Sequence, residues 1–553
     1  MLQPKKTFFV FLYAIYLCDA TSIRFVSNEK LKDFEDNNKK LERSNNSVHS
    51  YHYKIEENEV FNNNKSDWQF KGFNINNNYI LDKKPAPVSI LHKQSTQRKC
   101  HQSNRFISNH LIEKPKREKQ KILLISIDGL RWNYLNKAHT PNLKKIIKEG
   151  VSVDFVLNVF PTLSLPNHQS IVTGLYPEHH EMISYTMRDS KSGQSFDGTS
   201  EWWNKSIPIW ISNQKQGYQS GISFWPGYRV KYDGMQPFYL PDKMPDQKFN
   251  TLSKNNDKVN TTSENNDKFN TTSVNDNLMP VNERIKQAVN WLKNDNVTFV
   301  ALYIETVDKV THTTSPDSDK KNMKTSIEKA IVSVDRNIGF IRKLLVKNNL
   351  QSLVNVLVIG DHGSVDANYT QMIVLDEYLN VEKNIEHIDG VTSVFITTKS
   401  KKKQHVYEIL KKKSKTKNSH FQVYLKENIP EFFHIKKSNR IGDILILPKP
   451  GWTVVAKKWM SSYYKGQWSR GENGYSNIEG TMNPAFFAYG PSFRVGYKQW
   501  CVKTIDIYSL MCHILNINPE LHDGCFERVK PFLKEFRGEK YIQVNDKFDP
   551  IIC

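Results

Sequence analysis

The chain has 553 residues and a formal net charge of +21, from 78 Lys and Arg against 57 Asp and Glu. That length excludes a single small domain and leaves room for a large α/β core. The charge would suit an acidic partner, yet much of the lysine lies in polar runs such as KSKKKQH and KKKSKTKN, which read as a solvated face, and no zinc finger or aromatic-basic platform argues for specific nucleic-acid recognition.

Residues 1–20 read as a secretory signal peptide: Lys5 and Lys6 precede an apolar run from Phe8 to Cys18, and Ala20 closes a small-residue cleavage pattern. An uncleaved N-terminal anchor is the alternative. No other segment is apolar and long enough for a transmembrane helix. A secreted location follows. The cysteines left after cleavage, Cys100, Cys501, Cys512, Cys525 and Cys553, are then expected in disulfides, with one thiol over. No CxxC pair suggests a metal site among them. Residues 21–118 are polar, weakly periodic and rich in Asn, Lys and Ser, the composition of a disordered extension.

The main domain is placed at 119–530, with a tail over 531–553. Three apolar runs inside it are followed by donor side chains. KILLISIDG ends in Asp128, FVALYIETVDKVTH carries Asp308 and His312, and VNVLVIGDHG carries Asp361 and His362. Such Ile/Val/Leu runs are strands buried on both faces of a parallel sheet. Ligands bind at the carboxyl ends of those strands, and a carboxylate–imidazole cluster there suits Zn²⁺. Between the first two runs, PNHQSIV opens a helix, with Ser164 available as its cap. The segments KFNTLSKNND, KVNTTSENND and KFNTTSVNDN repeat every ten residues over 248–277 and read as a polar surface insertion. Sequons at Asn45, Asn64, Asn204, Asn260, Asn270, Asn296 and Asn368 are candidate glycosylation sites. GWTVVAKKW and NPAFFAYGPSF read as late strands of the sheet, and TIDIYSLMCHILNI as a helix.

FPTLSLPNHQSIVTGLYPEHH resembles the nucleophile segment of the ectonucleotide pyrophosphatase/phosphodiesterase family, in the alkaline phosphatase superfamily. The likeness continues in family order through WWNKSIPIW, FWPGY, PVNERI, IETVDKVTH, GDHG, HFQVYLKENIPE, RIGDILILPKPGW, MNPAFFAYGPSF and DIYSLMCHILNINP, roughly residues 119 to 525. It implies an alkaline phosphatase-like core, a mostly parallel sheet flanked by helices with its metal site at the strand ends. The implied reaction is metal-dependent hydrolysis of phosphodiester bonds. Ser164 takes the place of the attacking Thr or Ser. It implies one Zn²⁺ held by Asp128, Asp361, His362 and Ser164, and a second held by Asp308, His312 and a histidine from a GxHGYDN segment.

Two positions depart from that pattern. The segment here is GENGYSN, so the histidine is replaced by Asn473, a poorer zinc ligand, although Glu472 stands beside it. The family's phosphate-donating Asn falls at Tyr185, whose hydroxyl donates from a longer lever. The alternative function is therefore a catalytically impaired member acting as an extracellular binding or decoy protein. The substrate expected is a phosphodiester, either a nucleotide or a choline-phosphate headgroup. Leu165 and Asn275 occupy the positions of the family's base-stacking aromatics, which implies no strong nucleotide preference. Ser164 and the WWN segment resemble the choline-phosphodiester branch. Trp202, Trp203, Trp225 and Tyr228 are candidates for an aromatic wall around a quaternary ammonium, or for ordinary core packing.

Overall fold

The computed structural model describes residues 119–241, 279–316, 324–368, 370–457 and 469–538, all within one unit spanning 95–553. The signal peptide, the N-terminal extension, the repeat containing Asn275, and Cys100 and Cys553 lie outside the described residues.

The strands are, in chain order, β1 Lys121–Ile127, β2 Val151–Leu157, β3 Gln219–Ser223, β4 Val297–Ile304, β5 Val354–Ile359, β6 Val365–Asp366, β7 Met372–Val374, β8 Ile385–Asp389, β9 Val394–Thr398, β10 Phe421–Leu425, β11 Ile444–Pro448, β12 Thr453–Val455, β13 Gly471–Glu472, β14 Phe486–Tyr489 and β15 Tyr497–Lys503. Seven of them form the central sheet in the order β15-β2-β14-β5-β1-β4-β3. All pairs in it are parallel except those made by β14, which runs antiparallel between β2 and β5. A second sheet has the order β10-β11-β9-β8.

The helices that matter for the site are α1 Pro141–Glu149, α2 Ser164–Thr173, α3 Ile209–Lys215, α4 Val281–Leu292, α5 Thr306–Thr313, α6 Lys324–Lys347 and α7 Asp506–Leu515. They cover both faces of the central sheet. Strand alternation divides β1 between them: Ile122 and Leu124 pack in one core with residues of α2, α3 and α7, and Leu123, Ile125 and Ile127 in the other with residues of α1, α4 and α6. Every residue of β1, β4 and β5 is buried, as the continuous apolar runs predict. Phe532 and Leu533 are buried in the first core. Among the described residues no helix is long and apolar enough to cross a membrane.

Two local expectations change, and a third, the helix in TIDIYSLMCHILNI, holds with its boundary defined. FVALYIETVDKVTH is not one strand with donors at its end: β4 stops at Ile304, and Asp308 and His312 sit on α5. GWTVVAKKW does not return to the central sheet: its strand β12 pairs in parallel with β7 in a separate two-stranded sheet, while β14 takes the place beside β5. The helix predicted in TIDIYSLMCHILNI begins at Asp506, one residue after Ile505, and is buried along nearly its whole length, including Asp506 and Ser509.

Asp506 ties this region together. Its Oδ2 accepts from Arg528 Nε at 2.7 Å and from the Lys503 amide at 3.2 Å, and its Oδ1 accepts from Arg528 Nη2 and the Cys525 amide at 2.7 Å each. Removing one member of such a buried pair strands the other charge. Arg528→Met is therefore expected to destabilise the protein by about 3–5 kcal/mol, read as a lowered urea midpoint.

Candidate active site

Register brings the donors together. Ser126 pairs with Ile359 and Ile127 with Ile304, so β1, β4 and β5 end at one level of the sheet. The turns after them interlock. The Asp128 amide donates to the Ile304 carbonyl (2.9 Å), the Asp308 amide donates to the Asp128 carbonyl (3.1 Å), and the Gly129 amide donates to Asp361 Oδ1 (3.0 Å). Gly129 has φ +72°, and a Cβ there would lie 3.1 Å from the Asp308 backbone, so glycine suits both the turn and the approach. On α5, Asp308 and His312 share a face at i and i+4, with Nε2 3.3 Å from Oδ2.

Ser164 is the first residue of α2, behind an extended Leu163 that makes no side-chain cap. Its hydroxyl is thus not spent as a helix cap. It lies 3.0 Å from His362 Nε2 and donates to Asp128 Oδ1 at 3.5 Å. Asn167 stiffens the preceding loop: its side chain accepts from the Val159 amide (3.0 Å) and donates to the Leu163 carbonyl (2.9 Å).

Asp128, Ser164, Asp361 and His362 are thus brought together, with His362 Nε2 3.3 Å from both Asp128 Oδ1 and Asp361 Oδ2. Asp308 and His312 meet beside them, and donor atoms of Asp128, Asp308 and His362 all lie within 4.8 Å of one another. Asn473, expected with Asp308 and His312, turns its amide to His362, with Nδ2 2.9 Å from Nε2. Tyr185 is 49 % exposed, with its ring tilted against Phe196. The neighbouring Ser184 and Thr186 both donate to the buried Asp389 carboxylate.

Three carboxylates in a buried pocket strain its electrostatics. Burial, reinforced by Asp361 and Asp308, holds the Asp128 carboxyl well above its usual range. Burial would raise Asp308 as well, but His312, His362 and His168 pull it below normal. For His312 burial would lower the pKa, yet Asp308 and Glu472 lift it to about 9. Asp308 Oδ1, Asp361 Oδ2 and His312 Nε2 are all buried without a hydrogen-bond partner. Unpartnered carboxylate oxygens and an imidazole nitrogen beside the clustered donors of Asp128, Asp308 and His362 are a donor set that fits Zn²⁺.

Sequence reasoning assigned no role to several supporting groups. Tyr303, alternating inward on β4, donates its hydroxyl to Asp128 Oδ2. His168, from the PNH motif, has Nδ1 2.7 Å from the Ser164 carbonyl and 3.4 Å from Asp361 Oδ2, and Nε2 2.8 Å from the Ser126 hydroxyl. Burial depresses its pKa. Its place four residues after Ser164 on a helix was the available signal. The four candidate aromatics are core residues: Trp202, Trp203, Trp225 and Tyr228 are all at most 6 % exposed.

The family model for type I phosphodiesterase/nucleotide pyrophosphatase matches residues 122–476. The chain belongs to that family. Its relatives include the bis(5'-adenosyl)-triphosphatase ENPP4 of Bos taurus, 34 % identical over 420 residues, which cover 75 % of this chain and 82 % of the relative. Ectonucleotide pyrophosphatase/phosphodiesterase family member 5 of Homo sapiens is 31 % identical over 75 % of this chain and 78 % of the relative. The solved structure of an inactive murine ENPP5 in complex with AMP superposes with a TM-score of 0.63 at 31 % identity, covering 75 % of this chain and all of that one. The chain is thus a phosphodiester/pyrophosphate hydrolase of the ectonucleotide pyrophosphatase/phosphodiesterase family, on the alkaline phosphatase-like fold.

Metal-free, the folded protein keeps a proton on Asp128 that the unfolded chain sheds above about pH 4. This group's contribution to stability therefore falls as pH rises from that value through the raised folded pKa. Asp128→Asn cannot ionise. In zinc-free buffer it is expected to raise the thermal midpoint at pH 7, to flatten the fall with pH, and to remove the further rise that zinc gives the wild type. Differential scanning calorimetry with and without zinc reads all three.

Proposed function

We propose that the chain is an extracellular, zinc-dependent hydrolase of nucleotide phosphodiester or pyrophosphate bonds, with Ser164 as the nucleophile. The observation that carries this reading is the approach of the Ser164 hydroxyl to His362 and Asp128 at the head of α2. Asp128, Asp361, His362 and Ser164 would hold one zinc, and Asp308 and His312 the other, with Asn473 at the third ligand's position but its amide turned to His362. Bound zinc would supply Lewis-acid stabilisation of negative charge on the attacking and phosphoryl oxygens.

Ser164 Oγ attacks phosphorus as the bond to the leaving oxygen breaks, and water then hydrolyses the phosphoserine and restores the hydroxyl. The His362 Nε2 and Asp128 donors that face the hydroxyl would be occupied by zinc, so the Ser164 proton would pass to water as the bound metal lowers its pKa. Amides of the first turn of α2 favour the anionic phosphoryl group in front of them. Tyr303 and His168 keep Asp128, Asp361 and the Ser164 backbone in place.

The nucleotide class is supported by the relatives, one named for bis(5'-adenosyl) triphosphate and one solved with AMP. The choline-phosphate reading keeps only Ser164 and the WWN segment, because the aromatics that would wall a quaternary ammonium are buried. Leu165 is fully buried and offers no face to a base. The half-exposed Tyr185 remains as the substrate contact, giving its hydroxyl to a phosphoryl oxygen. An oxidising, extracellular compartment is supported by Cys501 and Cys525, which are disulfide-bonded. Asn204, Asn296 and Asn368 are exposed, as glycan acceptors need to be.

Two measurements test this. Ser164→Ala should lower hydrolysis of a nitrophenyl nucleotide ester by more than about 10³-fold, and Ser164→Thr should retain much of the rate; wild-type activity in Ser164→Ala would refute the mechanism. Asn473→His should raise the rate by restoring an imidazole to the second zinc seat. A wild type that cleaves nitrophenyl phosphocholine far better than the nucleotide ester would refute the substrate class.

A further inference from the structure

One ligand of the second zinc seat is gripped from behind. His312 presents Nε2 to Asp308, and its other ring nitrogen, Nδ1, lies 2.9 Å from the hydroxyl of Ser469. Ser469 Oγ donates to the Gly471 carbonyl at 2.6 Å, and the Glu472 carboxyl group reaches the same hydroxyl. A serine hydroxyl has a single proton, and here it is spent on an acceptor. Toward His312 the oxygen can therefore only accept, so the proton on the ring stays at Nδ1. Nε2, buried and 3.3 Å from Asp308 Oδ2, is then the nitrogen that a metal would take on displacing its proton.

The backbone around Ser469 is fixed from two sides. The Arg470 amide donates to the His312 carbonyl at 2.9 Å, which ties the segment to α5. The Ala367 amide donates to the Arg470 carbonyl at 2.9 Å, and Gly471 and Glu472 pair with β6. Strand alternation then separates the next two side chains. Glu472 goes to Ser469, behind His312, and Asn473 goes to His362. Glu472 thus backs Ser469 and is not among the grouped donors Asp128, Asp308 and His362.

We propose that Ser469, backed by Glu472, is the positioning residue that holds His312 in its metal-binding tautomer, and that this grip sustains a two-residue zinc seat of Asp308 and His312 where the third family ligand has become Asn473. The proposal rests on the zinc-dependent reading above. Orienting partners of this kind are worth about 10–100-fold in metal affinity, and a seat short of one ligand depends on them more than a complete one.

The test is zinc titration by calorimetry of the chelator-stripped full chain, with zinc per chain counted after gel filtration. The wild type is expected to bind two zinc ions in a tight and a weaker class. Ser469→Ala should weaken only the weaker class, by about 10–100-fold, and Ser469→Thr should restore it to near the wild-type value. His312→Ala, which deletes the ligand, fixes the level for a lost seat. Histidine-ring ¹⁵N NMR of the zinc-loaded protein should show the His312 proton on Nδ1. Two zinc ions bound alike by wild type and Ser469→Ala would overturn this inference and leave the zinc-dependent reading standing. A wild type that binds no zinc would overturn both.

Discussion

The constraint on which the rest of the structure depends is the crowding of three carboxylates, Asp128, Asp308 and Asp361, at the carboxyl edge of one sheet. Buried like charges at this spacing repel strongly, and in the metal-free protein burial with Asp361 and Asp308 pushes the Asp128 carboxyl well above its usual range while Asp308 and Glu472 lift the His312 pKa to about 9. Those shifts are partial answers. Asp308 Oδ1 and Asp361 Oδ2 remain buried without hydrogen-bond partners, which a fold selected for stability alone would not retain. The arrangement makes sense if cations complete it, so that metal binding and folding share one free energy.

The scaffold serves that crowding. Parallel strands of matched register deliver the turns after β1, β4 and β5 to one level, and backbone bonds between those turns hold the donors before any ligand arrives. Ser164, the proposed nucleophile, comes from a separate element as the first residue of α2, with Asn167 bracing the loop that leads to it. The site is therefore built from rigid elements. Of the two residues expected to depart from the family pattern, Tyr185 is half exposed, whereas Asn473 is buried with its amide against His362.

Much of this was legible in the sequence because the signals were chemical. An unbroken run such as KILLISI can only be a doubly covered strand, and the donors after it have few other uses. Ser164, Asp128, Asp361 and His362 were readable from motif order and do converge. Less was legible where tertiary context decides. Nothing local in FVALYIETVDKVTH shows that the strand gives way to a helix at Thr306, because the apolar run and the helix share the same β-branched residues. GWTVVAKKW has strand composition, but only the competition with β14 for the edge of β5 decides which sheet it joins. The tryptophans near 202 and 225 illustrate a related ambiguity, since an aromatic wall and a core have the same composition and differ only in burial. Tyr303 reaches Asp128 and Ser469 reaches His312 across long sequence distances, for which one sequence carries no periodic signal, whereas His168 stands four residues after Ser164.

The central claim is that this carboxylate–imidazole cluster is a zinc centre that activates Ser164. The most direct measurement is a crystal structure of the zinc-loaded protein, with an anomalous difference map collected at the zinc absorption edge. The account predicts a peak at about 2.0–2.2 Å from donor atoms of Asp128, Asp361 and His362, with Ser164 Oγ beside it. A map with no peak at that cluster, from protein that still cleaves a nucleotide diester, would contradict it.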